Sequence, residues 1–224
     1  MEKTAKPTSK KKLIDETIII SMYMDYVLNS NQEPKNVFVF CKECKITETE
    51  FYTFFSSLDA LRQDIWLKFF ENALETIEKE EAYEGYSDKN KLLTLYFTLF
   101  EVFGLNRSFI LFSLKDNKDV LKNLKSLKNL RSYFKSYVSN LLENGNSEIR
   151  QKASSVINPV LSEGAWIQFL FVLKFWLDDT SKAFESTDIL IEKSVNTVVD
   201  LLDTKPLESL FDLGKFLWKE KMER

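Results

Sequence analysis

The chain has 224 residues, with 31 Lys and Arg against 34 Asp and Glu and a net charge of −3, a length that suits one large domain or two small ones. Five Gly and four Pro are too few for a sheet fold that turns every few residues, and 44% apolar residues exclude global disorder, so the expected class is all-α. No histidine occurs, which removes His-activated nucleophiles, His-ligated metals and the usual general base near neutral pH; no enzyme activity and no cofactor are expected.

Residues 1–12 read as a disordered basic arm, with Lys3, Lys6, Lys10, Lys11 and Lys12 against Glu2. A helix is expected from Leu13 to about Asn29, ended by the polar run up to Pro34. Two short helices follow, about 35–44 and 47–55, the second capped by Thr47. The only strand-like run is Val37-Phe38-Val39-Phe40. Ser57 is placed to cap a long helix through Trp66 and Phe70 to about Ala82, and Asp88 to cap the next, which Gly104 ends. A short apolar helix over Arg107–Lys115 precedes a long one from about Asp119 to Glu143. Ser147 opens a short helix, and Pro159 suits the first turn of another through Trp166 and Trp176. After a polar loop from Asp178 to Thr187, Ile189 to Leu202 is helical, and Pro206 starts a final amphipathic segment to about Met222. No uncharged run exceeds ten residues, about half of what a bilayer span needs, so no transmembrane helix is expected. The two cysteines, Cys41 and Cys44, fit a reducing compartment, and a cytoplasmic location is expected.

The most informative stretch runs from Phe40 to Leu61: Phe40-Cys41, then Lys45-Ile46-Thr47, Phe51-Tyr52, Phe55 and Leu61. Its spacing is that of a helix-turn-helix, a short helix, a tight turn and a second helix with apolar residues facing the first. It resembles the tetracycline-repressor (TetR) family without a gap. Phe40-Cys41 stand at that family's Ile-Ala pair, Ile46 at its turn Val, Thr47 at its small cap, Phe51-Tyr52 at its Leu-Tyr pair, and Phe55 and Leu61 at its later Phe and Leu. Lys45 stands at the usual Gly, where a positive φ is often wanted, and Leu58 at a usual Lys. Cys41 and Cys44 have CxxC spacing, but at i and i+3 of this helix they read as small core fillers.

The resemblance implies an N-terminal three-helix reader over 13–60 and a helical ligand-binding and dimerisation domain over 61–224, about nine or ten helices in all. It implies a ligand-responsive regulator that binds operator DNA as a homodimer, with Thr47, Thr49, Tyr52 and Thr53 on bases or phosphates and Lys35, Lys42, Lys45 and the arm on backbone. Residues 13–62 hold four cations against eight carboxylates, an acidic balance for a DNA reader. A small apolar ligand or lipid is expected in a cavity among Phe97, Phe100, Phe103, Phe112, Phe134 and Phe169. Residues 164–177 are apolar on nearly every side and must be covered all round. With the following helix they supply the expected dimer interface: Trp166, Leu170, Leu173, Leu177, Ile191, Val195, Val198 and Leu202. Lys115, Lys118, Lys122, Lys125, Lys128, Arg131 and Lys135 crowd one side of a helix, a solvated face or a contact for an acidic partner or membrane surface. A TetR-like fold also serves, without DNA binding, a lipid-binding accessory protein of ubiquinone biosynthesis. The acidic reader and the amphipathic C-terminal segment, which suits peripheral membrane contact, therefore give a second expectation: a lipid or isoprenoid carrier that does not bind DNA.

Overall fold

Val37-Phe38-Val39-Phe40, strand-like by composition, forms the first turn of a helix, because the Asn36 side chain accepts the Val39 N–H at 2.9 Å and caps it. Side-chain caps of this kind set most starts in the N-terminal part of the computed structural model, which describes residues 13–115, 120–144 and 148–202. Asp15 caps α1 (Glu16–Ser30), Asn36 α2 (Val37–Cys44), Thr47 α3 (Glu48–Phe54) and Ser57 α4 (Leu58–Ile77). Then come α5 (Asp88–Leu105), α6 (Arg107–Lys115), α7 (Val120–Ser126), α8 (Lys128–Asn144), α9 (Glu148–Asp178) and α10 (Glu185–Leu202). Among the described residues the structure is all-helical, with ten α-helices and no strand.

Several boundaries differ from the sequence reading. Ser87, not Asp88, caps α5 by accepting the Asn90 N–H. The long helix expected over 119–143 is broken at Leu127 into α7 and α8: the Ser126 hydroxyl bonds back to the Asn123 carbonyl, and the Leu127 side chain turns into the core. Pro159 does not begin a helix but lies inside α9, whose 31 residues run through it. It lacks the N–H for the preceding turn, while the Ser162 hydroxyl bonds to its carbonyl at 3.1 Å. α10 begins at Glu185 rather than Ile189. Asp179 sets that corner, accepting from the Ser181 N–H (2.8 Å), the Thr187 N–H (3.0 Å) and the Thr187 hydroxyl (2.6 Å). Burial pushes the Asp179 carboxyl up, but these bonds outweigh it and hold it down at about 2.

One hydrophobic cluster runs from Ile19 to Val195. α4 carries it across the 60/61 boundary: Leu61, Ile65, Trp66, Phe69, Phe70 and Ala73 are all buried in it, with Trp66, Phe69 and Phe70 packed on rings of α5, α6 and α8. Trp66 meets Phe103 edge-on at 5.7 Å, and Phe70 meets Phe134 at 6.4 Å. α5 and α6 join at a bend of 88°. Pro159–Asp178, within α9, has the length and hydropathy of a membrane span despite its interrupting charges; here one side of it, with Trp166, Phe169, Val172 and Trp176, packs into the core.

Candidate nucleic-acid interface, cavity and open helix face

The reader is built from local bonds outward. Lys45 closes α2 in the left-handed region (φ 57°, ψ 37°), the conformation expected at that position. Its N–H and that of Ile46 donate to the Lys42 and Cys41 carbonyls, a helix end of the Schellman type. Thr47 then opens α3 with a reciprocal capping box. The Glu50 N–H donates to the Thr47 hydroxyl oxygen at 3.1 Å, while the Thr47 N–H donates to the Glu50 carboxylate at 2.8 Å. Phe51 is buried against Phe40, which packs edge-on against Tyr23 at 5.8 Å, and Phe55 is buried against Phe51. The candidate contact residues Lys35, Lys42, Lys45, Thr47, Thr49, Tyr52 and Thr53 are all exposed. Lys35 and Tyr52 share a shallow groove of about 600 Å³ with Phe38, Glu48, Leu58 and Arg62.

Two features of this face were not read from the sequence. Phe38 and Phe54 stand in solvent, 58% and 39% exposed. Arg62 of α4 pairs with Glu33 of the α1–α2 loop at 3.0 Å and with Asp59, and burial pushes the Tyr23 hydroxyl up to about 12, against the lowering effect of the Arg62 charge. Lys125 of α7 reaches Asp59 at 2.7 Å, so the body touches the first turn of α4 directly. A signal for Arg62 exists: it is the only Arg in the first 106 residues. Burial pushes the Cys44 thiol up to about 11 and raises that of Cys41 as well, which suits core filling rather than thiolate chemistry.

In the body, Phe100, Phe103, Phe134 and Phe169 come together as expected but pack ring on ring, with Phe100–Phe103 at 5.3 Å and Phe134–Phe169 at 5.1 Å. Phe112 is partly buried, and Phe97 is exposed. An apolar cavity of about 80 Å³ between α5, α8, α9 and α10 is lined instead by Leu92, Val138, Leu142, Leu161, Ala165 and Val198, with Asp88 and Lys89 also on its wall and none of the six phenylalanines. A polar thread crosses the same core: Tyr96 OH donates to Gln168 Oε1 at 3.3 Å, and Gln168 Nε2 donates to the Ser194 hydroxyl at 2.9 Å.

Of the residues expected at a dimer interface, Trp166, Leu173, Leu177, Ile191 and Val195 point into the protomer's own core, and Leu170 and Val198 are half-buried. The open side of α9 is a different stripe, Val160, Gly164, Ile167, Phe171 and Phe175, and Ile189 of α10 is exposed as well. Ile167 and Phe171 are 62% and 59% exposed. On the basic side of α8, Arg131 and Lys135 bond Glu163 of α9 at 2.6 and 2.5 Å, holding its carboxyl down at about 2. The Lys115, Lys118 and Lys122 side chains, that of Leu202, the arm and the segment from Pro206 to Met222 lie outside the described residues.

A family model described as tetracyclin repressor-like, C-terminal domain, matches residues 91–217, more than half of the chain. Comparison with curated proteins gives no significant match.

Proposed function

The chain belongs to the tetracyclin repressor-like (TetR) family, and from that premise we propose that it is a ligand-responsive, non-enzymatic transcriptional regulator that binds operator DNA as a homodimer in the cytoplasm. The observation that carries the DNA reading is the α2–α3 turn. Lys45 in the left-handed region and the Thr47–Glu50 box hold α3 at a fixed angle to α2, with Thr49, Tyr52 and Thr53 facing outward. Recognition helices enter the major groove by such a face, and Lys35, Lys42 and Lys45 flank it for phosphates. Glu50 is committed to the box, so Glu48 is the carboxylate of α3 that stands against the DNA charge.

Dimerisation through the open stripe of α9 and α10 accounts for apolar side chains left in solvent. An apolar ligand entering between α5, α8, α9 and α10 enlarges the existing cavity and shifts α9 and α10, and with them the spacing of two readers. The test is a salt-titrated binding assay of the full chain on genomic DNA fragments. Binding that weakens steeply with salt supports the regulator, and no binding at about 50 mM salt refutes it.

A second reading, a TetR-fold lipid or isoprenoid carrier without DNA binding, is favoured by one observation: exposed Phe38, Tyr52 and Phe54 on a face whose α3 carries no cation. It predicts liposome association, abolished by Phe211→Ala with Trp218→Ala, from a preparation that does not bind DNA.

A further inference from the structure

The chemistry of α3 narrows the base sequence that it can read. Its seven residues, Glu48 to Phe54, include no Arg, Lys, Asn or Gln. The bidentate contacts that pick out guanine (Arg or Lys on O6 and N7) and adenine (Asn or Gln on N6 and N7) are therefore missing from it. What the helix does present follows from its phase. Phe51 is buried, and the positions opposite it on a helix of 3.6 residues per turn are Thr49 and Thr53, one turn apart. Both are exposed and form the outermost ridge, with Tyr52 on its flank.

Internal bonds then decide which atoms of this face are available. The Thr53 hydroxyl donates to the Thr49 carbonyl at 2.9 Å, the back-bonded state of a helical Thr, which uses its proton and leaves an acceptor oxygen beside the γ-methyl. The Thr47 hydroxyl and the Glu50 carboxylate bond each other in the capping box. The ridge thus offers two methyl groups, with the Thr49 hydroxyl and the Tyr52 side chain beside them, where bidentate readers offer amides or guanidinium groups. Among the base edges of the major groove, the partner for the methyl groups is the C5-methyl of thymine.

We propose that α3 selects its operator by apolar contact of Thr49 and Thr53 with thymine methyl groups, so that each half-site carries thymines, on either strand, where the ridge enters the groove. This rests on the DNA-binding reading above and specifies what is read. Glu48, exposed beside the ridge, adds an acceptor suited to cytosine N4.

The test starts from selection of bound duplexes out of a random library by the full-length protein. The selected duplex is then compared with the same duplex carrying deoxyuridine in place of thymine, which deletes only the methyl. Burial of one methyl-sized group changes affinity about fourfold. Replacing two thymines in each of two half-sites is therefore expected to weaken binding about two hundredfold, at unchanged salt slope. Thr49→Ser with Thr53→Ser keeps the hydroxyls and removes the methyls. This variant should bind thymine duplexes as weakly as wild type binds uracil duplexes and no longer distinguish the two. Thr53→Val, which keeps a methyl and loses the hydroxyl, should still distinguish them.

Selected sites without thymines at the reader, equal binding of both duplexes, or retained discrimination by the Ser variant overturns the proposal while leaving a DNA-binding regulator in place. Failure to enrich any duplex from the library overturns the DNA-binding reading itself, and this proposal with it. The uracil comparison needs no protein variant, so a misfolded mutant does not blunt it.

Discussion

At φ 57° the Lys45 backbone sits where the β-carbon of an L-residue is crowded by the following carbonyl, a conformation that costs about 1–2 kcal/mol. Lys45→Gly removes the crowding and gives back part of the gain as freedom of the unfolded chain. A net stabilisation of about 1 kcal/mol, or about 2–4 °C in Tm, is expected. If Lys45 meets a phosphate as proposed, the same change lowers the log–log salt slope of DNA binding by about 0.9 per protomer. A melt that rises while DNA affinity falls separates the two roles of the residue; a lowered Tm refutes the strain account. The two carboxylates of α3 behave differently from each other. Glu50→Ala opens the capping box and lowers stability by about 1 kcal/mol, whereas Glu50→Gln keeps it closed. Glu48→Gln leaves the melt unchanged and strengthens binding to nonspecific DNA, which a filter-binding titration at low salt reads directly. These positions were legible in the sequence because caps and left-handed turns are local: Thr47, Ser57 and the positive φ at position 45 depend on residues at most four places away.

Whole elements were legible less evenly, and α9 shows why. A helix apolar on all sides has no pattern telling its own core from a partner's. Trp166, Leu173 and Leu177 were therefore as eligible for the interface as Ile167 and Phe171, until packing turned the first three inward. The break at Leu127 and the passage through Pro159 were hidden for a related reason, since both depend on what the helices pack against. The two faces of α9 make opposed predictions. Phe169→Ala empties a fully buried site between Tyr96, Phe100, Phe134 and Trp166 and costs about 3–5 kcal/mol. Phe171→Glu leaves the protomer fold intact and yields a monomer by light scattering; a dimer that survives Phe171→Glu refutes the assigned face. At the α1–α4 contact, burial and the neighbouring Glu16 carboxylate push Asp64 up to about 6, and its Oδ2 is buried without a hydrogen-bond partner. A carboxyl that binds its proton more tightly when folded favours the folded state increasingly as pH falls from about 6 toward 4. It opposes folding most where it is charged, above pH 6. Asp64→Asn is thus expected to raise Tm at pH 7–8 and to lose most of that advantage at pH 4. An advantage that is the same at both pH values refutes the assignment.

Across the whole molecule the continuous core makes α4 a shared beam. Lys68 and Arg62 pair with Glu16 and Glu33 on the reader side, Trp66 and Phe70 pack on Phe103 and Phe134 of the body, and Lys125 ties α7 to Asp59. Under the proposed mechanism, movement of α9 is expected to reach the reader through packed elements, from Phe169 to Phe134 of α8, from Phe134 to Phe70 of α4, and from Lys68 of α4 to Glu16 of α1. The charge distribution sets what the proposed dimer can do. With four cations against eight carboxylates over residues 13–62, one reader has little electrostatic affinity of its own, and the five lysines of the arm supply the larger positive charge. If two readers and two arms engage one operator, the salt slope reflects the phosphates neutralised by both protomers, at about 0.9 each. Deleting residues 1–12 should flatten the slope by that amount for each phosphate an arm lysine neutralises. It should leave the preference for one sequence over another nearly intact, because the arm's charges act on phosphates rather than base edges. Phe171→Glu should do the reverse within one experiment: about half the slope, since one reader and one arm remain, and no preference for paired half-sites over a single one. A monomeric Phe171→Glu protein that keeps the full slope and the full preference for paired half-sites would mean that the readers act singly, and the open face of α9 would then need another occupant.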